Sequence, residues 1–172
     1  FGYDIVPYMN QGIDSFPEVR YDYMMHLDEY VTQGFYKPYV EKCKELGAWS
    51  RVQCLASPTD VMTTYSFVDI PETESMLNNP NYSRIVSSSA CLSSKRLVSS
   101  ETFTCMYGFP HTYLHREQTA DLKMVADAMF AYGVNHHVYH GMPYNPIDSD
   151  TNTFFATTYF GPNGSISDEL PQ

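Results

Sequence analysis

Three short stretches concentrate the acidic and imidazole groups of this chain. They are Asp69-Ile70-Pro71-Glu72-Thr73-Glu74, Ser99-Ser100-Glu101-Thr102-Phe103-Thr104 and Asn135-His136-His137-Val138-Tyr139-His140-Gly141. Each lies at or near the end of a short β-like run. Carboxylates gathered at strand ends suit the cleavage of a glycosidic bond, in which one group protonates the leaving oxygen and another activates water. Neutral donors beside them hold sugar hydroxyls.

Each group also has a plainer reading. Glu101 closes a strand and is flanked by Ser99, Ser100, Thr102 and Thr104, which can hydrogen-bond a carboxylate or a sugar; it reads equally as a solvated acid. Asp69, Glu72 and Glu74 surround Pro71, which stiffens the turn. They suit a hard cation, a general base or an acidic surface loop. Alternation puts Asn135, His137 and Tyr139 on one face of a strand and His136, Val138 and His140 on the other. His136 and His140 suit hydroxyl donation or metal ligation, and Gly141 allows close approach of a ligand. Gln53, Ser57 and Asp60 follow a strand-like run and are further hydroxyl partners, whereas His111 and His115 follow Glu101 towards the same mouth.

The elements that must position these groups alternate in type. Residues 1–17 read as a loop. Residues 20–46 keep helical spacing, with Gly34 and Pro38 breaking or kinking the stretch and Gly47 stopping it. Residues 49–55 read as a strand, and residues 65–68 as another that delivers Asp69 to Glu74 at its end. A helix rich in small residues follows over 82–94, then a strand over 96–100 that delivers Glu101. Residues 118–132 form a clear amphipathic helix with Leu122, Val125, Ala126, Met129 and Phe130 on one face, and Gly133 ends it. Residues 134–139 are the next strand, and 154–159 start a last element. Alternation with short connections argues for parallel α/β structure, and polar groups at the C-terminal strand ends match the face of a (β/α) barrel. A complete barrel takes about 250 residues. The expected fold is therefore α/β, a partial (β/α)8 barrel of about four βα units.

Composition narrows the function classes. The 172 residues are 43% hydrophobic and 17% charged, as in a globular domain. A formal net charge of −10 with no basic run argues against nucleic acid as a partner. No apolar stretch approaches the ~20 residues that span a bilayer. Fifteen tyrosines and ten phenylalanines fit either a carbohydrate surface or an aromatic core. Cys43, Cys54, Cys91 and Cys105 show no CxxC, which speaks against structural zinc and fits buried thiols or one disulfide.

In order and spacing these motifs resemble the α-L-rhamnosidases of glycoside hydrolase family 106. The resemblance rests on Gly2-Tyr3-Asp4-Ile5-Val6-Pro7-Tyr8, Arg51-Val52-Gln53 with Pro58 and Asp60, Asp69 to Glu74, and Ser100 to Thr104. Its most specific part is Ala126 to Gly141, read ADAMFAYGVNHHVYHG, with Pro143, Tyr144 and Pro146. It implies a (β/α)8 barrel that hydrolyses terminal α-L-rhamnose with inversion, assisted by calcium; the compartment stays open, with a secreted or periplasmic setting expected. On that resemblance Glu101, Glu72 and Glu74 are active-site carboxylates, with the one that activates water left open, and Asn135, His136 and His140 line the sugar pocket. Gln53, Asp60 and Tyr139 are further substrate-binding candidates. The ligands of the calcium stay unassigned.

Family members carry an Asp-Ser-aromatic-Glu motif just upstream of the Gly-Tyr-Asp stretch, bearing another active-site acid, and this sequence opens inside that point. The expectation is that residues 1–172 are the C-terminal portion of the catalytic barrel. The other strands, the accessory β domains and the acid would belong to the rest of the parent polypeptide, the chain's partner besides a rhamnose-containing carbohydrate. The rival expectation is a non-catalytic carbohydrate-binding or structural protein on a degenerate barrel.

Overall fold

The computed structural model describes residues 1–76, 79–106, 116–141, 158–161, 164 and 166–169. His111 and His115, Pro143, Tyr144 and Pro146, and most of the element expected over 154–159 lie outside them. Among the described residues four parallel strands form one sheet: β1 (Arg51–Gln53), β2 (Ile70–Glu74), β3 (Ser99–Thr102) and β4 (His136–Tyr139). Their order in space follows their order in sequence, β1-β2-β3-β4. The elements joining them are helices: α4 (Val61–Phe67) after β1, α5 (Asn81–Leu92) after β2 and α6 (Thr119–Ala131) after β3. The α/β class and the βα alternation therefore stand.

The first quarter of the chain is helical from its start. The stretch expected as a loop contains a short helix α1 (Val6–Asn10) and a 3-10 turn (Ile13–Ser15). Edge-on contacts of Tyr8 with Tyr3 and Phe16, together with a hydrogen bond from Tyr3 to Asp22, fold it back on the next helix. That helix is α2 (Pro17–Val31), continuous through one π-helical turn (Thr32–Tyr36) into α3 (Lys37–Glu45). The kink expected from Gly34 and Pro38 is this turn. Proline lacks the N–H that would bond the carbonyl four residues back, and the wider π turn absorbs the lost bond. Gly47, with φ of +68°, then ends α3: Ala48 N–H bonds the Cys43 carbonyl and Gly47 N–H that of Lys44.

Two sequence readings fail here. Residues 65–68 are the end of α4 and a turn rather than a strand, because Asp60 caps the helix by accepting from Met62 N–H, so helix begins at Val61. The acidic stretch is then strand β2 itself, and its carboxylates stand on the sheet rather than beyond it. Glu101 likewise lies inside β3. Pro71 is tolerated in an interior strand because of register. β3 first pairs with β2 at Ser99↔Glu72, one residue beyond Pro71, so no ladder bond to β3 is lost.

Alternation divides the sheet. Pro71, Thr73, Ser100, Thr102 and His137 face the helices, where Tyr65, Val68, Val86, Ala90, Val125, Met129 and Val134 form the core. Tyr65 is wholly buried, and its hydroxyl accepts from Cys54 N–H at 3.1 Å and donates to the Glu72 carbonyl at 2.8 Å. It therefore ties the C-terminal exit of β1 to the middle of β2. Beyond β4, Gly141 N–H reaches the Thr158 carbonyl and Phe160 N–H bonds the Gly141 carbonyl, the hydrogen-bond pattern of a parallel bridge. The four cysteines are all free thiols, and no described helix is long and apolar enough to cross a membrane.

Tyr65→Phe strands a buried N–H and a buried carbonyl at once. A loss of about 2–3 kcal/mol in urea unfolding is expected. A loss below about half a kcal/mol, the usual scatter of surface substitutions, would show that the clamp carries no stability.

Candidate active site

The face of the sheet away from the helices holds Arg51 and Gln53 on β1, Glu72 and Glu74 on β2, Ser99 and Glu101 on β3, and His136 and Val138 on β4, with His140 just past its end. Register places Gln53, Glu72, Ser99 and His136 in one row across all four strands, and Glu74 beside Glu101 in the next.

Within that face the donors converge on carboxylates. Gln53 Nε2 lies 3.2 Å from Glu72 Oε1 and 2.9 Å from Glu101 Oε2. Arg51 Nε sits 3.1 Å from Glu72 Oε2, and the Ser99 hydroxyl donates to the same oxygen. Glu72 is only 7% exposed, so an Arg, a Gln and a Ser enclose it. Glu101 is held differently. Its Oε1 accepts from Thr104 Oγ1 at 2.9 Å and faces His140 Nδ1 at 2.7 Å, while its side chain keeps 30% of its surface open. Because the Thr104 proton goes to Glu101, the 2.9 Å contact between Thr104 Oγ1 and His140 Nδ1 requires the histidine to carry its proton on Nδ1. Ser75 braces this end of the sheet. Its N–H bonds the Glu101 carbonyl, and its hydroxyl accepts from Phe103 N–H at 2.7 Å.

Glu74 has no side-chain hydrogen bond among the described residues. Burial, and then the charge of Glu101, push its carboxyl above the usual range, with His140 opposing in part. One carboxylate is thus enclosed, one is oriented but open, and one is biased towards keeping its proton.

The remaining predicted residues are dispersed. His136 shares the carboxylate face but is exposed and lies one row nearer the strand start than Glu101. Tyr139 is on the opposite side, stacked on Phe160 and edge-on to Phe103. Asp60 is the N-cap of α4, its second oxygen accepting from Thr63. Asn135 lies at the other end of the sheet and stitches β3 to β4: its side chain accepts from Val98 N–H and donates to the Arg96 carbonyl. Asp69, also at that end, takes both the N–H and the hydroxyl of Ser50 on one oxygen. Burial works to raise its carboxyl, but the Ser50 bonds, aided by Lys95 and Lys44, hold it below the usual range. His137 is lowered by burial and by His136.

Arg51 is the site residue that reading the motifs for chemistry passed over. Its signal was present, since it stands two residues before Gln53 and alternation places both on one face. Among the described residues no group of three His, Cys, Asp or Glu is arranged to hold a metal ion. The oxygens of Glu72 and Glu101 are taken up by Arg51, Gln53, Ser99, Thr104 and His140. No chemical step is derived through calcium.

No protein-family model matches the chain, and neither a curated protein nor a solved structure gives a significant match.

The two shifted carboxylates make opposite predictions for stability. A raised folded value favours folding below the ordinary Glu range near 4.5 and is lost as pH rises through the raised value. Glu74→Gln should therefore match wild type in acid and become progressively more stable than it towards neutrality. A lowered value favours folding above about 3.8 and is lost as pH falls. Asp69→Asn should then cost stability at neutral pH and little in acid. Urea midpoints across pH test both, and parallel curves for either variant against wild type would refute its assignment.

Proposed function

We propose that this chain supplies one wall of a glycoside hydrolase active site that removes terminal α-L-rhamnose, within a (β/α)8 barrel of which the four strands are part. The observation that carries the reading is the placement of Glu101. It is oriented by Thr104, His140 and Gln53 and partly open to solvent, beside a second carboxyl with raised proton affinity. Sequential parallel strands and the parallel bridge at Gly141 suit a sheet that continues past β4. The choice of rhamnose rests on the motif resemblance.

In this mechanism Glu101 accepts a proton from water while Gln53 and Thr104 fix the direction of its lone pairs. Glu72 neutralises Arg51 and fixes Gln53. His140 holds Glu101 through Nδ1. Inversion needs two carboxyls ~6.5–9.5 Å apart with water between them. Glu72 and Glu101 share the Gln53 nitrogen and so come within roughly 6 Å, and Glu74 and Glu101 occupy neighbouring strands about 4.8 Å apart. The acid that protonates the leaving oxygen is therefore assigned outside the described residues.

The closeness of Glu74 and Glu101 favours one second course, retention, which uses carboxyls ~5–5.5 Å apart. There Glu101 attacks the anomeric carbon and Glu74 protonates the departing oxygen. Proton NMR of the first-formed sugar separates the courses. Inverted rhamnose supports the main reading, and retained product supports the Glu74–Glu101 pair.

Glu101→Gln in the intact protein should lower turnover of an aryl α-L-rhamnoside by at least ~10²-fold with an unchanged melting temperature. Near-normal turnover would remove Glu101 from the chemistry. Saturable sugar binding without any release of rhamnose by wild type would favour the non-catalytic carbohydrate-binding alternative.

A further inference from the structure

The opposite end of the sheet carries a separate cleft of about 450 Å³, lined by Trp49, Asp69, Ile70, Arg96 and Leu97. It lies at the strand starts. Asp69 precedes β2 and Glu74 ends it, so at ~3.3 Å per residue the cleft is about 16 Å from the carboxylate row. Its volume falls within the ~300–1,000 Å³ of small-ligand pockets.

Both walls are fixed by hydrogen bonds that leave the functional atoms unused. Ser50 donates twice to one oxygen of Asp69, and the other accepts no hydrogen bond among the described residues. Asn135 holds the Arg96 carbonyl, which sets the backbone of that residue, while its exposed guanidinium forms no ion pair among the described residues. Trp49 is 70% exposed, an unusual placement for the largest aromatic side chain.

We propose that this cleft binds one residue of a neutral saccharide, whose C–H face packs on the Trp49 indole and whose hydroxyls bridge Asp69 and Arg96. The ligand class follows from the charges. A cation would meet Arg96, with Lys95 and Lys44 near enough to act on Asp69, and an anion would meet Asp69 itself, whereas a vicinal diol donates to the carboxylate and accepts from the guanidinium together. An apolar ligand would leave both charged groups desolvated and unpaired. The ring supplies the remaining apolar contact, since a pyranose has polar edges and a C–H face. The site would hold a glycan chain at a distance from the reacting bond. The cleft alone carries this inference, which survives if the carboxylate face has another substrate.

Trp49 is the one tryptophan among these 172 residues, and the emission that Trp49→Phe removes reports on this cleft in the intact protein. The probes are methyl α-L-rhamnopyranoside and methyl α-D-glucopyranoside, with tetramethylammonium chloride as the cationic control. The expected result is a saturable emission change with at least one sugar, in the millimolar range. Arg96→Gln should weaken it by about tenfold, the loss of one charge-assisted hydrogen bond, with the melting temperature unchanged. Glu101→Gln should leave the titration unaltered, which separates this cleft from the carboxylate face. The proposal is overturned by no saturable response to either sugar, by a response unaffected by Arg96→Gln, by one abolished in Glu101→Gln, or by a response to tetramethylammonium alone.

Discussion

Three glutamates on one face of two adjacent strands are a concentration of like charge that a sheet does not adopt without compensation. At ~5 Å and an effective dielectric of ~20, two carboxylates repel by about 3 kcal/mol. The compensation centres on the Gln53 carboxamide, which gives hydrogen bonds to Glu72 on the neighbouring strand and to Glu101 on the strand beyond it. A neutral donor is what this position calls for. A cation there would cancel the negative field of the cleft, and an apolar residue would leave both oxygens facing each other. Arg51 sits one step further out, where it pairs with Glu72.

That arrangement depends on strand positions being fixed, because a shift of one residue in register turns every side chain to the other face. The sheet is locked at both ends by side chains that bond backbone. At the strand starts Ser50 with Asp69 ties β1 to β2, and Asn135 ties β3 to β4. At the strand exits Ser75 ties β2 to β3, and Tyr65 joins β1 and β2 from beneath. The strands are only three to five residues long, so backbone ladders contribute few bonds. Side-chain stitches carry an unusual share of the register.

This explains what was legible in the sequence. α5 and α6 were readable because small or apolar residues recur at helical spacing and Gly133 ends α6. The αβ alternation, and the division of residues 135–140 between two faces, were readable because strand period is local. The boundary of β2 was not. Tyr65 to Val68 is aromatic and β-branched enough to look extended, yet the Asp60 cap commits it to helix, and Pro71 disguises a strand whose missing N–H is spared only by a register set elsewhere. Asn135 and Asp69 have the composition of pocket residues, and their partners lie 37 and 19 positions away. Nothing in local pattern separates a polar side chain that meets a ligand from one that meets a distant backbone.

The same long-range geometry changes what the clustered acids mean chemically. Read along the chain, Glu72, Glu74 and Glu101 are interchangeable. Across the sheet they differ in the one property that matters for proton transfer, the number of donors each already satisfies. Glu72 is saturated by Arg51, Gln53 and Ser99, so releasing it to do chemistry would first break three contacts. Glu101 is held by groups that orient it and still leave surface open. Glu74 has no donor among the described residues, and burial beside a negative neighbour favours its protonated form. On the proposed function, a base, its electrostatic neighbour and a structural anchor would emerge from three identical side chains through their surroundings alone. Because all three crowd one patch, a single-displacement reaction would have to receive its acid from across the cleft, which is a demand of distance rather than of residue type.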